Sequence, residues 1–143
     1  MNDARILTLV DRLERCLLDK TEFHHCDHLA VAVVYLYAAD FESALDRMRT
    51  ALTRFAAHHG VSGLYHETLT RFWMQQAERR LDRSKCLQES VRDIQAALPD
   101  KNLPFRYYSR EVLDSAEARA GWVAPNLPQP EEASTSPLRP PYS

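Results

Sequence analysis

An all-α fold is what this sequence predicts: a single-domain four- to five-helix bundle with an irregular C-terminal strap and a disordered Pro-rich tail. Three observations point there. Apolar residues recur at helical spacing through successive segments. Only three Gly occur in 143 residues that are otherwise rich in Ala, Leu, Arg and Glu, a mix unsuited to a turn-rich β fold. Hydrophobic residues make up 45% of a chain long enough to bury one core without staples. The helical domain with its strap is expected over residues 1–123, and the flexible Pro/Ser-rich tail over 124–143.

The first helix is expected from Asp3 to Leu18, with Ile6, Val10, Leu13 and Leu17 on one stripe, widened by Leu9 and Cys16. Asp19-Lys20-Thr21-Glu22 breaks the pattern. A second helix, about Cys26 to Ala39, is apolar on nearly every side and belongs at the bundle centre. Asp40 reads as the N-cap of a third helix with Ala44, Leu45, Met48, Leu52, Phe55 and Ala56 facing inward. That helix should stop at Gly60, where His58 and His59 meet unpaired carbonyls of its last turn. A fourth helix is expected from Leu64 to Arg83, its Glu78–Arg83 charge run facing solvent, and a fifth from Leu87 to Leu98, stopped by Pro99. Beyond Lys101 the chain is less regular, with short helical turns at Ser109–Asp114 and Ser115–Ala120. After Val123, Pro125, Pro128, Pro130, Pro137, Pro140 and Pro141 stand among Ser, Thr and Glu, the composition of a disordered segment.

The formal net charge of −2 offers no overall attraction to nucleic acid or to an anionic membrane, and neither partner is expected. The longest apolar run, Leu29 to Ala39, has 11 residues, too few to span a bilayer, and Met1–Arg5 lacks the layout of a secretory signal. Cys16, Cys26 and Cys86 are odd in number and form no CxxC pair, which fits reduced thiols and a cytoplasmic location. Cys16 is expected on a core face, whereas Cys26, set among histidines, is a thiolate available to a metal. No glycine-rich phosphate loop and no GxSxG occur. No pattern selects monomer over dimer.

The candidate chemistry lies in two polar clusters. His25 and His28 are three residues apart, a spacing that puts two imidazoles on one helix face, and His66 would come from a facing helix. Together they form a candidate mononuclear site for a divalent metal such as zinc, with an open water position. The chain has neither HExxH nor ExxH, so the helical metalloprotease and di-iron patterns are absent. A metal-free alternative makes His66 a general base oriented by Glu67 or Asp27. Tyr65, Thr70 and Trp73 flank His66 on its own helix, Thr70 within reach of the imidazole and Trp73 above it. Tyr107, Tyr108, Arg119 and Trp122 would close a small-molecule pocket if the C-terminal segment folds back. The plainer reading makes these histidines helix caps and satisfied core residues.

Phe23-x-His25-x-Asp27-His28-Leu29, then Tyr65-His66-Glu67-Thr68-Leu69-Thr70-x-x-Trp73, then Tyr107-Tyr108-Ser109 with Glu117-Ala118-Arg119-Ala120-Gly121-Trp122-Val123-x-Pro125 resembles the pattern of a group of small bacterial all-helical proteins. The resemblance covers about residues 20–128 and implies that the three motifs form one unit; it carries no reaction and no ligand. Asn126 departs from it, standing where that pattern has Asp. The expected function is therefore a small helical protein with an interior His/carboxylate pocket that binds a metal or small molecule, with catalysis an open option. The alternative is a non-enzymatic interaction module whose histidines are structural.

Overall fold

The computed structural model describes residues 1–128, and among them all regular structure is helical. Residues 129–143, most of the expected tail, lie outside the described residues. The helices are α1 (Asp3–Glu14), α2 (His25–Ala38), α3 (Phe41–His58), α4 (Glu67–Arg80), α5 (Leu87–Ala97), and the short α6 (Arg110–Leu113) and α7 (Ala116–Ala120). Single 3₁₀ turns at Lys20–Glu22, Ser62–Leu64 and Leu103–Arg106 join them. The first five are the expected bundle, and the last two belong to the strap.

The apolar run after His28 explains the arrangement. A helix without a polar face must be covered all round, and α2 packs against α1, α3, α4 and α5. Leu29, Ala30, Val31, Ala32, Val33, Tyr35 and Leu36 are all buried. Tyr35 carries the one hydroxyl in that set, and it donates to Glu14 Oε2 at 2.6 Å. Arg47 Nε donates to the same oxygen at 2.9 Å while its guanidinium stacks 4.4 Å from the Tyr35 ring centre. One ion pair with a phenol thus ties α1, α2 and α3 together, and the burial and that bond hold the Tyr35 hydroxyl well above the usual phenol range.

The first helix ends four residues earlier than its stripe suggests. Cys16 adopts a left-handed backbone, φ 57°, and the amides of Cys16 and Leu17 turn back to Leu13 O (3.0 Å) and Arg12 O (2.8 Å). This is a glycine-type helix stop built on a residue with a β-carbon. Leu17 is consequently thrown outward, 51% exposed, and Leu18 takes the core position at 5%. Relief of that strain predicts that Cys16→Gly gains about 0.5 kcal/mol, the larger entropy of unfolded Gly offsetting part of the benefit; urea denaturation of the two proteins checks it. By contrast the α3 boundaries are as read: Asp40 Oδ1 accepts from Ser43 N–H at 2.8 Å, and Gly60 takes φ +71°.

The strap is held by specific bonds. Thr68 donates its hydroxyl to Gly121 O (2.8 Å) and accepts from Val123 N–H (3.1 Å). Tyr108, fully buried, donates to Val123 O at 2.6 Å. Leu127 N–H reaches Tyr107 O at 3.0 Å, and Asn126 Oδ1 accepts from Ser109 N–H at 2.9 Å while its amide donates to Ser109 Oγ. Attachment thus continues past residue 123, the expected domain end. Ending the chain after Pro128 should leave the melting temperature nearly unchanged, whereas ending it after Val123 should lower it visibly by freeing Tyr107 and Ser109 of these partners. Calorimetry of the two truncations makes the comparison.

Candidate functional site

Histidine bonding sorts the expected site residues. His25, in the first turn of α2, points its Nε2 at Leu98 O, 2.8 Å away at the end of α5. A carbonyl accepts only from N–H, so Nε2 carries the proton. His59 Nε2 makes the same kind of bond to Leu18 O at 3.0 Å, and not to a carbonyl of its own helix end. His66 is the N-cap of α4: Nδ1 accepts from Leu69 N–H at 3.1 Å, and Nε2 donates to Leu113 O, 2.7 Å away in the last residue of α6. Each of these rings satisfies a carbonyl at a segment end that the chain leaves without an intrahelical partner.

These bonds revise several expectations. Both nitrogens of His66 are committed, leaving none for a metal or a substrate proton. Burial lowers the His66 pKa, with Arg119 adding to the effect, as suits a neutral ring that must accept at Nδ1. Glu67 does not orient the imidazole. It is buried and clamped by Arg49, whose Nε and Nη2 donate to its two oxygens at 2.8 and 2.6 Å, and it accepts from the Tyr65 hydroxyl at 2.7 Å. The Arg49 bonds hold its carboxyl below the usual range. Asp27 is further removed. Its carboxylate caps His24 N–H at 3.0 Å and faces a separate groove with Met1, Arg5 and Arg12. Thr70 donates to the backbone oxygen of His66 at 2.9 Å, not to its ring. Trp73 stacks edge-on with His25, centroids 4.5 Å apart, not over His66. Cys26 is exposed and only its carbonyl is engaged, by Gln95. Among the described residues no group of three or more His, Cys, Asp or Glu could hold a metal ion.

The strap residues also go elsewhere. Tyr107 packs on Phe72 at 5.0 Å, and with Trp122, Pro125 and Leu127 lines a groove over α4. Arg71 stands 5.4 Å over the Trp122 ring, and Arg119 donates to Gly63 O at 3.2 Å. The strap thus buttresses the outer side of α4.

What the structure does bring together is His28, His66, Tyr65, Thr70 and Trp73, around a cavity of about 470 Å³ between α2, α3 and α4. Leu52, Phe55, Ala56, Val61, Leu64 and Leu69 supply the rest of a mainly apolar wall, with Lys20 at its edge. The volume falls in the range of small-molecule pockets. His28 stands apart here. Its Nε2 is closed off from solvent and has no hydrogen-bond partner, a condition shared among the described residues only by Arg71 Nε. Burial, with the neighbouring His25, pushes the His28 pKa down to about 4, so the ring is neutral at pH 7.

The pH consequence has a definite sign. The unfolded chain takes a proton at His28 near pH 6.5, whereas the folded protein refuses it until about pH 4. The unfolded state therefore binds more protons in that window, and stability falls as the pH drops through it, by up to about 3 kcal/mol. His28→Leu should flatten this part of a stability–pH profile measured by urea denaturation.

The sequence signal for this cavity was incomplete. Leu52, Phe55 and Ala56 read as ordinary core positions of α3, Val61 as part of a connection, and Leu64 as the first residue of a fourth helix that in fact starts at Glu67. Only the turn Ser62–Leu64, which leaves Leu64 69% exposed beside the cavity, turns those positions into a wall.

No family model matches the chain, and neither a curated protein nor a solved structure matches it. No helix among the described residues is long and apolar enough to cross a membrane.

Proposed function

We propose that the cavity between α2, α3 and α4 binds a small, largely apolar molecule carrying one hydrogen-bonding group, and that His28 is its polar anchor. The carrying observation is the buried, partnerless Nε2 of His28 in the wall of an apolar cavity. Leaving such an atom unpaired costs about 1–3 kcal/mol, and a ligand group that pairs with it recovers that loss. The other candidate histidines support this division of roles, since His25 and His66 are occupied as caps. A metal shared by His25, His28 and His66 would have to displace Leu113 O or the Leu69 amide from the His66 ring, so small-molecule binding is the better-supported reading.

An interaction role for the strap finds less support. Tyr107 and Tyr108 are 8% and 0% exposed, and the half-exposed Phe105 and Trp122 rings are each covered by an arginine.

The neutral probe N-phenylnaphthylamine, whose emission rises in apolar sites, tests the proposal. One saturable site is expected in the parent protein, and none in Ala56→Phe, which fills the cavity from α3. Circular dichroism and cooperative unfolding of that variant confirm that the fold survives. Absence of binding to the parent, or equal binding to the folded variant, contradicts the proposal.

A further inference from the structure

The charge around the cavity selects among apolar ligands. Resting on the binding role above, we infer that the preferred ligand is a free organic acid with an apolar tail, its carboxylate held at the Lys20 edge and its tail among Phe55, Leu69 and Trp73.

Lys20 is the one formally charged residue among those lining the cavity, and no carboxylate lines it. The nearest acid of the α4 terminus, Glu67, is neutralised by Arg49 and turned to Tyr65. Lys20 itself makes no ion pair among the described residues, whereas Glu22, two residues on, is engaged with Arg12. Its ammonium is therefore uncompensated at the rim of an apolar space. An ammonium beside a low-dielectric wall attracts an anion more strongly than one in open water. The remaining polar atoms of the wall do not compete for that anion: the Tyr65 hydroxyl is given to Glu67, and Thr70 to a backbone oxygen. A cationic ligand would meet Lys20 with no acid to receive it. Neutral His28 supplies the second hydrogen bond, to the carboxylate or to a polar group along the tail.

The test uses the full-length chain carrying Trp122→Phe, which leaves Trp73 as its one tryptophan and a reporter in the cavity wall. Decanoate, decanol and decylamine are titrated in low salt at neutral pH. Decanoate is expected to bind roughly fivefold tighter than decanol, the size of a rim charge contact, and decylamine weakest. Lys20→Gln should erase the decanoate advantage and leave decanol binding as it was, and added salt should do the same. Equal affinities for decanoate and decanol, insensitive to Lys20→Gln, would overturn the acid preference while preserving the binding role. Tightest binding of decylamine would overturn it by sign. Failure of all three ligands to bind would remove the binding role on which it rests. Sedimentation with phosphatidylglycerol vesicles, without response to free decanoate, would also overturn it, because the anion would then be a lipid surface.

Discussion

Val33→Asp is expected to leave the chain unfolded. Val33 is fully buried on α2, a helix enclosed by α1, α3, α4 and α5. An unpaired buried charge costs several kcal/mol, against a total stability of about 5–15 kcal/mol for a domain. The substituted residue would protonate to limit the cost, so the defect should be greatest at neutral pH and milder in acid. Far-ultraviolet circular dichroism and urea titration at both pH values measure it. A cooperative transition at the parent midpoint would mean that α2 is not the bundle centre.

His66→Ala should produce the next largest loss, about 2–3 kcal/mol. The cap to Leu69 N–H accounts for about 1 kcal/mol, and the bond to Leu113 O, whose loss strands a buried carbonyl, for the rest. His66→Asn separates the two. Asn caps well and is too short to reach Leu113, so it should recover about the cap contribution alone. The strap should then loosen first, seen as faster amide exchange at α6 with α4 still protected. Equal losses for Ala and Asn would mean that the cap contributes nothing at this position.

Periodicity carried most of the fold. The core stripe of α3, the all-round apolarity of α2, the Asp40 cap and the Gly60 stop each follow from a local rule and stand where it puts them, as does the α1 stripe up to Leu13. Two of the misplaced boundaries, the end of α1 and the start of α4, share one cause: a terminus made by a residue outside the usual capping set. Cys16 closes α1 in a conformation that favours glycine, and His66 caps α4 in place of Ser, Thr, Asp or Asn.

Site residues were legible as a group and not as roles. The spacing of His25 and His28 was informative about a shared helix face, yet His25 turns to a carbonyl 73 residues away in sequence. Bonds of that range are set by tertiary packing, which no local pattern encodes. The same holds for Glu67, whose partner Arg49 stands 18 residues away on α3. The reach of the three sequence motifs is clearer: His25 meets Trp73, and Thr68 and His66 meet the strap, so all three converge on α4 from its two sides.

The central claim is that His28 is kept partnerless for a ligand. Side-by-side urea denaturation and N-phenylnaphthylamine titration of His28→Leu address it most directly, because function and stability should move in opposite directions. Removing the orphaned nitrogen while keeping an apolar side chain of similar bulk is expected to raise stability by about 1 kcal/mol at neutral pH and to weaken the probe severalfold. Lower stability with unchanged probe affinity would contradict the claim, placing His28 among the histidines that only hold the fold together.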